Sequence, residues 1–178
     1  LDDDGDVDIL LINRGEVTRL ANEVWIYWND ENQFQRQNMS GLPSFNGIGV
    51  EVADLDRNGY LDIIVSNGNP KNMPNKSSEG AYIYWGSELG WPVKQRTTLP
   101  MKLTRSPAIC DINADGHLDL VFGNQSKGEL ATIFFGNGSQ QYSLTNSMLI
   151  TGSQGSGSPG VADLNKDGLL DIAFAHNK

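Results

Sequence analysis

A chain of 178 residues with 38% hydrophobic content is long enough for one sizeable core. Its formal net charge of −9, with no basic stripe anywhere, excludes nucleic acid as a partner. A single cysteine, Cys110, excludes an internal disulfide framework, and no apolar run reaches the ~18 residues that a membrane span needs.

In chain order, the first stretch is "LDDDGDVDIL", which carries five of the 22 acidic residues. An aromatic-rich strand, "VWIYWN" (24–29), follows it by about 20 residues. "GVEVAD" (49–54) alternates loosely and predicts a strand. "DLDRNGYLDI" (54–63) is a second acidic stretch that runs straight into "LDIIVSN", a nearly continuous apolar run that predicts a buried strand. The segment "NGNPKNMPNKSSEG" (67–80) reads as a long loop. "AYIYWGS" (81–87) predicts a third strand, and "KQRTTLP" (94–100) a polar fourth strand suited to an outer edge. "SPAICD" then leads into "DINADGHLDL" (from 111), "ATIFFGN" (131–137) and "DLNKDGLLDI" (from 163). Fourteen acidic residues lie inside the four stretches, so the charge is local and does not form a general steering field.

The glycines at the centres of these stretches, Gly5, Gly59, Gly116 and Gly168, are spaced by 54, 57 and 52 residues. A period near 50 with four strands per repeat predicts an all-β fold, a β-propeller of four-stranded antiparallel blades. A β-sandwich of the same strands leaves the period unexplained. The expected blades are 1–44 (incomplete), 45–101, 102–152 and 153–178 (incomplete). Three and a fraction repeats do not close a ring. The chain is therefore expected to be a segment of a larger propeller of six to eight blades, or to pack against another copy of itself.

Within each stretch, oxygen donors recur at loop positions 1, 3, 5 and 9, with glycine at position 6 and a main-chain carbonyl at position 7. One loop offers Asp54, Asp56, Asn58 and Asp62 with the carbonyl of Tyr60. The next offers Asp111, Asn113, Asp115 and Asp119 with that of His117, and the last Asp163, Asn165, Asp167 and Asp171 with that of Leu169. The first is partial: Asp2, Asp4 and Asp8 with the carbonyl of Asp6. Every donor is a hard oxygen, which suits Ca²⁺ on a flexible loop and excludes zinc and copper. Three complete calcium sites and one partial site are expected. An EF-hand needs Glu at position 12, where this chain has Val65, Phe122 and Phe174. The alternative is that the Asp and Asn side chains only cap turns by bonding the backbone.

The pattern D-x-[DN]-x-[DN]-G-x-x-D before an apolar strand, at this period, resembles the FG-GAP/VCBS repeat family, which includes the calcium-bearing propellers of integrin α-subunits. "FG" occurs as Phe135-Gly136, with Trp85-Gly86 and Trp28-Asn29 at the equivalent places. The "GAP" element occurs as Ser106-Pro107-Ala108, Ser158-Pro159-Gly160 and Gly47-Ile48-Gly49, which favours the broader VCBS-type group. The resemblance implies a secreted or cell-surface module whose calcium loops join the first and second strands of each blade.

No Ser-His-Asp arrangement, phosphate loop or nucleotide fingerprint is present. His117 occupies a loop position where its backbone matters, and His176 takes the place held by Asn13, Asn67 and Asn124 in the other repeats. Nothing selects an acid–base pair among Glu16, Glu23, Glu51 and Glu129, although Glu51 is distinctive because Ala108 and Gly160 stand at its equivalent positions. The reading is a binding module for protein or glycan ligands, with Asn67, Asn69, Lys71 and Asn72 of the longest loop as contact residues. The alternatives are a propeller of a secreted polysaccharide lyase or hydrolase, and a self-assembling surface subunit. Four N-x-[ST] sequons, at Asn38, Asn75, Asn124 and Asn137, are only about two more than chance supplies.

Overall fold

The computed structural model describes residues 1–2, 4–13, 23–31, 33–68, 80–101, 104–124 and 128–176. These residues form antiparallel sheets of strands consecutive in the chain, with no α-helix among them. The first sheet contains β1 (Ile9–Ile12), β2 (Glu23–Asp30) and β3 (Gln33–Pro43). The second contains β4 (Gly47–Ala53), β5 (Asp62–Asn67), β6 (Ala81–Tyr84) and β7 (Thr97–Leu99). The third contains β8 (Ala108–Cys110), β9 (Asp119–Phe122), β10 (Ala131–Phe134) and β11 (Ser147–Ile150), and the fourth β12 (Ser156–Ala162) and β13 (Asp171–His176). The expected strand over 94–100 is shorter than its polarity suggested. Val93–Gln95 forms a 3-10 turn, and only Thr97–Leu99 pairs with β6.

The apolar run of β5 follows from burial on both of its faces. Side chains alternate along a strand, so Ile63 and Val65, with Tyr82 and Tyr84 of β6, pack against Val24, Ile26 and Leu42 of the first sheet. Ile64, with Ala81 and Ile83, turns the other way and packs against Leu120, Phe122 and Phe134 of the third sheet. Two aromatic stacks recur at equivalent places between sheets. Trp28 lies over Trp91 and Trp85 over Tyr142, each with ring centroids 6.1 Å apart. Each stack is pinned to a loop carbonyl: Trp91 Nε1 donates to Leu61 O (2.8 Å) and the Tyr142 hydroxyl to Leu118 O (2.5 Å). Packing between sheets therefore fixes the ends of the acidic loops.

Candidate metal centre

Each complete acidic loop connects the first and second strands of a sheet, as β4 to β5, β8 to β9 and β12 to β13. The loops share one conformation. The glycine at position 6 has φ near +90° in all four stretches (93°, 90°, 89° and 91°), a region open to glycine because it has no Cβ. Position 4 is also left-handed, although its residues are Arg57 (61°), Ala114 (58°) and Lys166 (65°). Nothing in the residue types announces this second left-handed position.

The position-1 carboxylates bind the turn from inside. Asp54 accepts from the nitrogens of Asn58 (3.1 Å) and Gly59 (2.9 Å), and Asp111 from those of Asp115 (3.0 Å) and Gly116 (2.8 Å). Asp163 accepts from Asp167 (3.1 Å) and Gly168 (2.9 Å) in the same way. Position 3 (Asp56, Asn113, Asn165) accepts from the nitrogen of position 5. Position 5 (Asp4, Asn58, Asp115, Asp167) accepts from the nitrogen of position 7 (Asp6, Tyr60, His117, Leu169) at 2.8–2.9 Å. Asp2 at position 3 of the first stretch accepts from Asp4 N at 3.4 Å. The bond from His117 is the main reason the exposed Asp115 carboxyl sits below its ordinary range.

The position-9 carboxylates do a different job. Asp62 is fully buried and clamps two backbone groups, accepting from Leu55 N (2.8 Å) and from Gly86 N beyond β6 (2.7 Å). Asp119 repeats this with Ile112 N (3.0 Å) and Gly136 N (2.8 Å). Asp8 accepts from Asn29 N (2.9 Å), and Asp171 from Leu164 N (2.9 Å). Each position-9 Asp thus ties its loop to the chain around it.

In the second loop, ligand oxygens of Asp54, Asp56 and Asp62 lie within 4.8 Å of one another, close enough to share a hard cation. The following loops exchange the two types, with Asn113 and Asn165 where this one has Asp56 and Asp115 and Asp167 where it has Asn58, so all three offer three carboxylates. Burial pushes the Asp62 carboxyl up to about 6, reinforced by Asp56 and Asp54 and opposed by its two backbone donors. Burial likewise raises Asp119. With no cation present, the fold thus disfavours the ionised form of these groups. A group whose folded pKa is raised contributes stability below its unfolded value, near 3.9, and that stability is lost as pH rises through about 6. A bound cation reverses the preference by favouring the carboxylate. The increase in melting temperature on adding calcium is therefore expected to grow from pH 5 to pH 7. Scanning calorimetry at both pH values, with calcium and with chelator, checks this, and an increment that shrinks over that range contradicts it.

Asn67 is fully buried and its Oδ1 accepts from Phe45 N at 2.7 Å, so it holds the chain entry to β4 and presents no amide to a ligand outside. Asn69, Lys71 and Asn72 lie outside the described residues. His117 has a buried, unpartnered Nδ1 and packs its ring on Gly138. His176 is exposed at the end of β13. Glu51 is half-buried on β4, where burial raises its carboxyl. Neighbouring loops also touch: Arg57 donates to the carbonyl of Gly116, and Gln140 Nε2 to Asp56 Oδ2 at 2.9 Å. No pattern of residue types marks these cross-ties in the sequence.

No helix among the described residues is long and apolar enough to cross a membrane. Comparison with curated proteins finds no significant match. The FG-GAP-like repeat family matches residues 1–65 and 111–174, and each match spans two of the four acidic loops. With well over half of its length matched, and the matched loops folded alike, the chain belongs to the FG-GAP-like repeat family.

Proposed function

We propose that this chain is part of a calcium-stabilised β-propeller that serves as an extracellular or cell-surface binding module for protein or glycan ligands. The observation that carries the reading is the meeting of Asp54, Asp56 and Asp62 in one loop, in a conformation that the other acidic loops repeat. Carboxylates held this close repel one another, and a divalent cation relieves the repulsion while keeping the turn. The cation's role is structural. It neutralises each loop and locks the first two strands of a blade together. A rigid disc of this kind presents its other loops to a ligand, and the long 67–80 segment is the favoured contact region through Asn69, Lys71 and Asn72.

The experiment is a thermal melt with calcium and with excess chelator. An ion bound only by the folded state stabilises it by mass action, so chelator is expected to lower the melting temperature by several degrees. Affinities of about 10⁻⁴–10⁻³ M suit an extracellular module. Identical melts, with no calcium found by elemental analysis of the dialysed protein, would refute the calcium reading. A second reading, assembly through packing with another copy or with further blades, is favoured by the exposed apolar side chains of Leu164, Leu169 and Leu170 and of Met148 and Leu149 on β11.

A further inference from the structure

We propose that the pocket between the first and second sheets, on the side of the acidic loops, takes an arginine side chain of a partner protein. This rests on the reading of the chain as a binding module and assigns it a protein ligand, with a contact away from the 67–80 segment.

The junction of the second and third sheets shows what bridges such a place. There Arg57, at loop position 4, donates to the carbonyl of Gly116, at position 6 of the next loop. Gln140 Nε2 reaches back from the third sheet to Asp56 Oδ2 at 2.9 Å. Neither tie has the residue it needs at the first junction. Position 4 of the first stretch is Asp3, of the opposite charge to arginine and itself outside the described residues. The turn 87–90, Ser-Glu-Leu-Gly, is one residue shorter than 137–141 and carries no amide to reach Asp2. Between these two loops lies a pocket of about 490 Å³, and Gly59, the counterpart of Gly116, lines it.

The lining determines what an occupant must bring. Trp28, Trp91 and Tyr60 provide aromatic rings and Asp2, Asp6 and Glu88 carboxylates, with no Lys or Arg among the described lining residues. Both indole N–H groups are engaged, Trp28 Nε1 with Ser40 Oγ (3.0 Å) and Trp91 Nε1 with Leu61 O (2.8 Å), and the Ser87 hydroxyl donates to Gly90 O (2.9 Å). The Tyr60 hydroxyl is the one side-chain donor left in this lining. A pocket rich in acceptors and aromatic faces, and poor in donors, suits a group that carries donors and positive charge. A guanidinium has five N–H donors and no acceptor, stacks on aromatic rings and pairs with carboxylates through two parallel bonds. In the ligand set of the first loop Asp6 gives only its carbonyl, and Glu88 lies outside that set, so both carboxylates stay available when a cation is bound there.

The test is a titration of the isotope-labelled chain, in calcium, with N-acetyl-arginine N-methylamide, followed by NMR through the indole N–H signals. Those of Trp28 and Trp91 are expected to shift and saturate, while those of Trp25 and Trp85 stay in place. The citrulline analogue, of the same shape but uncharged, is expected to bind about tenfold more weakly. Glu88 is exposed, so Glu88→Lys leaves the fold intact, and it is expected to abolish the shifts. No shift at Trp28 and Trp91, citrulline binding as tightly as arginine, or undiminished binding by Glu88→Lys each overturns the assignment. So does a methyl glucoside that shifts the same two signals where arginine does not, which would mark a sugar site. The melts with calcium and with chelator test the calcium reading by themselves, so its failure is distinguishable from failure of the arginine pocket.

Discussion

Replacing Asp62 with leucine is expected to destabilise the chain by about 2–6 kcal/mol, in chelator as well as in calcium. The carboxylate is fully buried and its two oxygens accept from Leu55 N and Gly86 N. Leucine removes both acceptors and leaves two buried donors unpaired, at about 1–3 kcal/mol each. Calcium lost from the loop adds a further cost only when calcium is supplied. Urea titrations of wild type and Asp62→Leu, each with calcium and with chelator, separate the two contributions. If the variant matches wild type in chelator, the carboxylate is a metal ligand only and the backbone clamp contributes nothing. Asp54→Ala makes the complementary comparison, because Asp54 bonds within its own loop.

Gly80→Ala is expected to cost about 2–5 kcal/mol, well above the roughly 1–2 kcal/mol expected of Gly90→Ala. Both glycines are left-handed, with φ of +80° and +76°, so both substitutions carry the penalty of a Cβ in that region. They differ in space. A Cβ at Gly80 would fall 1.7 Å from Leu99 O and 2.8 Å from Met101 N, whereas nothing lies within 4 Å of one at Gly90. Gly80 also receives Asn67 N on its carbonyl (3.1 Å), so moving it disturbs the ends of both β5 and β7. Denaturant melts of the two variants measure the difference, and equal losses would show that the sheet yields to the added methyl group.

The sequence made the acidic loops and the buried second strands legible for one physical reason. Oxygen donors at fixed spacing and unbroken apolar runs are properties of residue type. "LDIIVSN" announces β5 because a strand covered on both faces admits no polar alternation. The partners of the donors were not legible. An aspartate that clamps Leu55 and Gly86 has the same spacing as one that only faces a cation, so the double role of Asp62 required coordinates. Arg57, Ala114 and Lys166 give no hint of a left-handed backbone, because side-chain chemistry does not select that conformation in these residues. Asn67 looked like a surface amide because Asn usually is one. In the fold it is fully buried, and its Oδ1 accepts from Phe45 N, 22 residues earlier in the chain.

The consecutive order of strands in every sheet bears on folding kinetics. Each sheet closes through connections between neighbouring strands, and short closures cost little chain entropy. The sheet-to-sheet contacts are of another kind: Gln140 reaches Asp56 across 84 residues and Arg57 reaches Gly116 across 59. These pairs form only when two finished sheets dock. The expected course is fast local assembly followed by slower stacking, in line with the dependence of folding rate on contact separation. The ties between neighbouring loops then report the late step, and a probe at Gln140 would time docking separately from sheet formation.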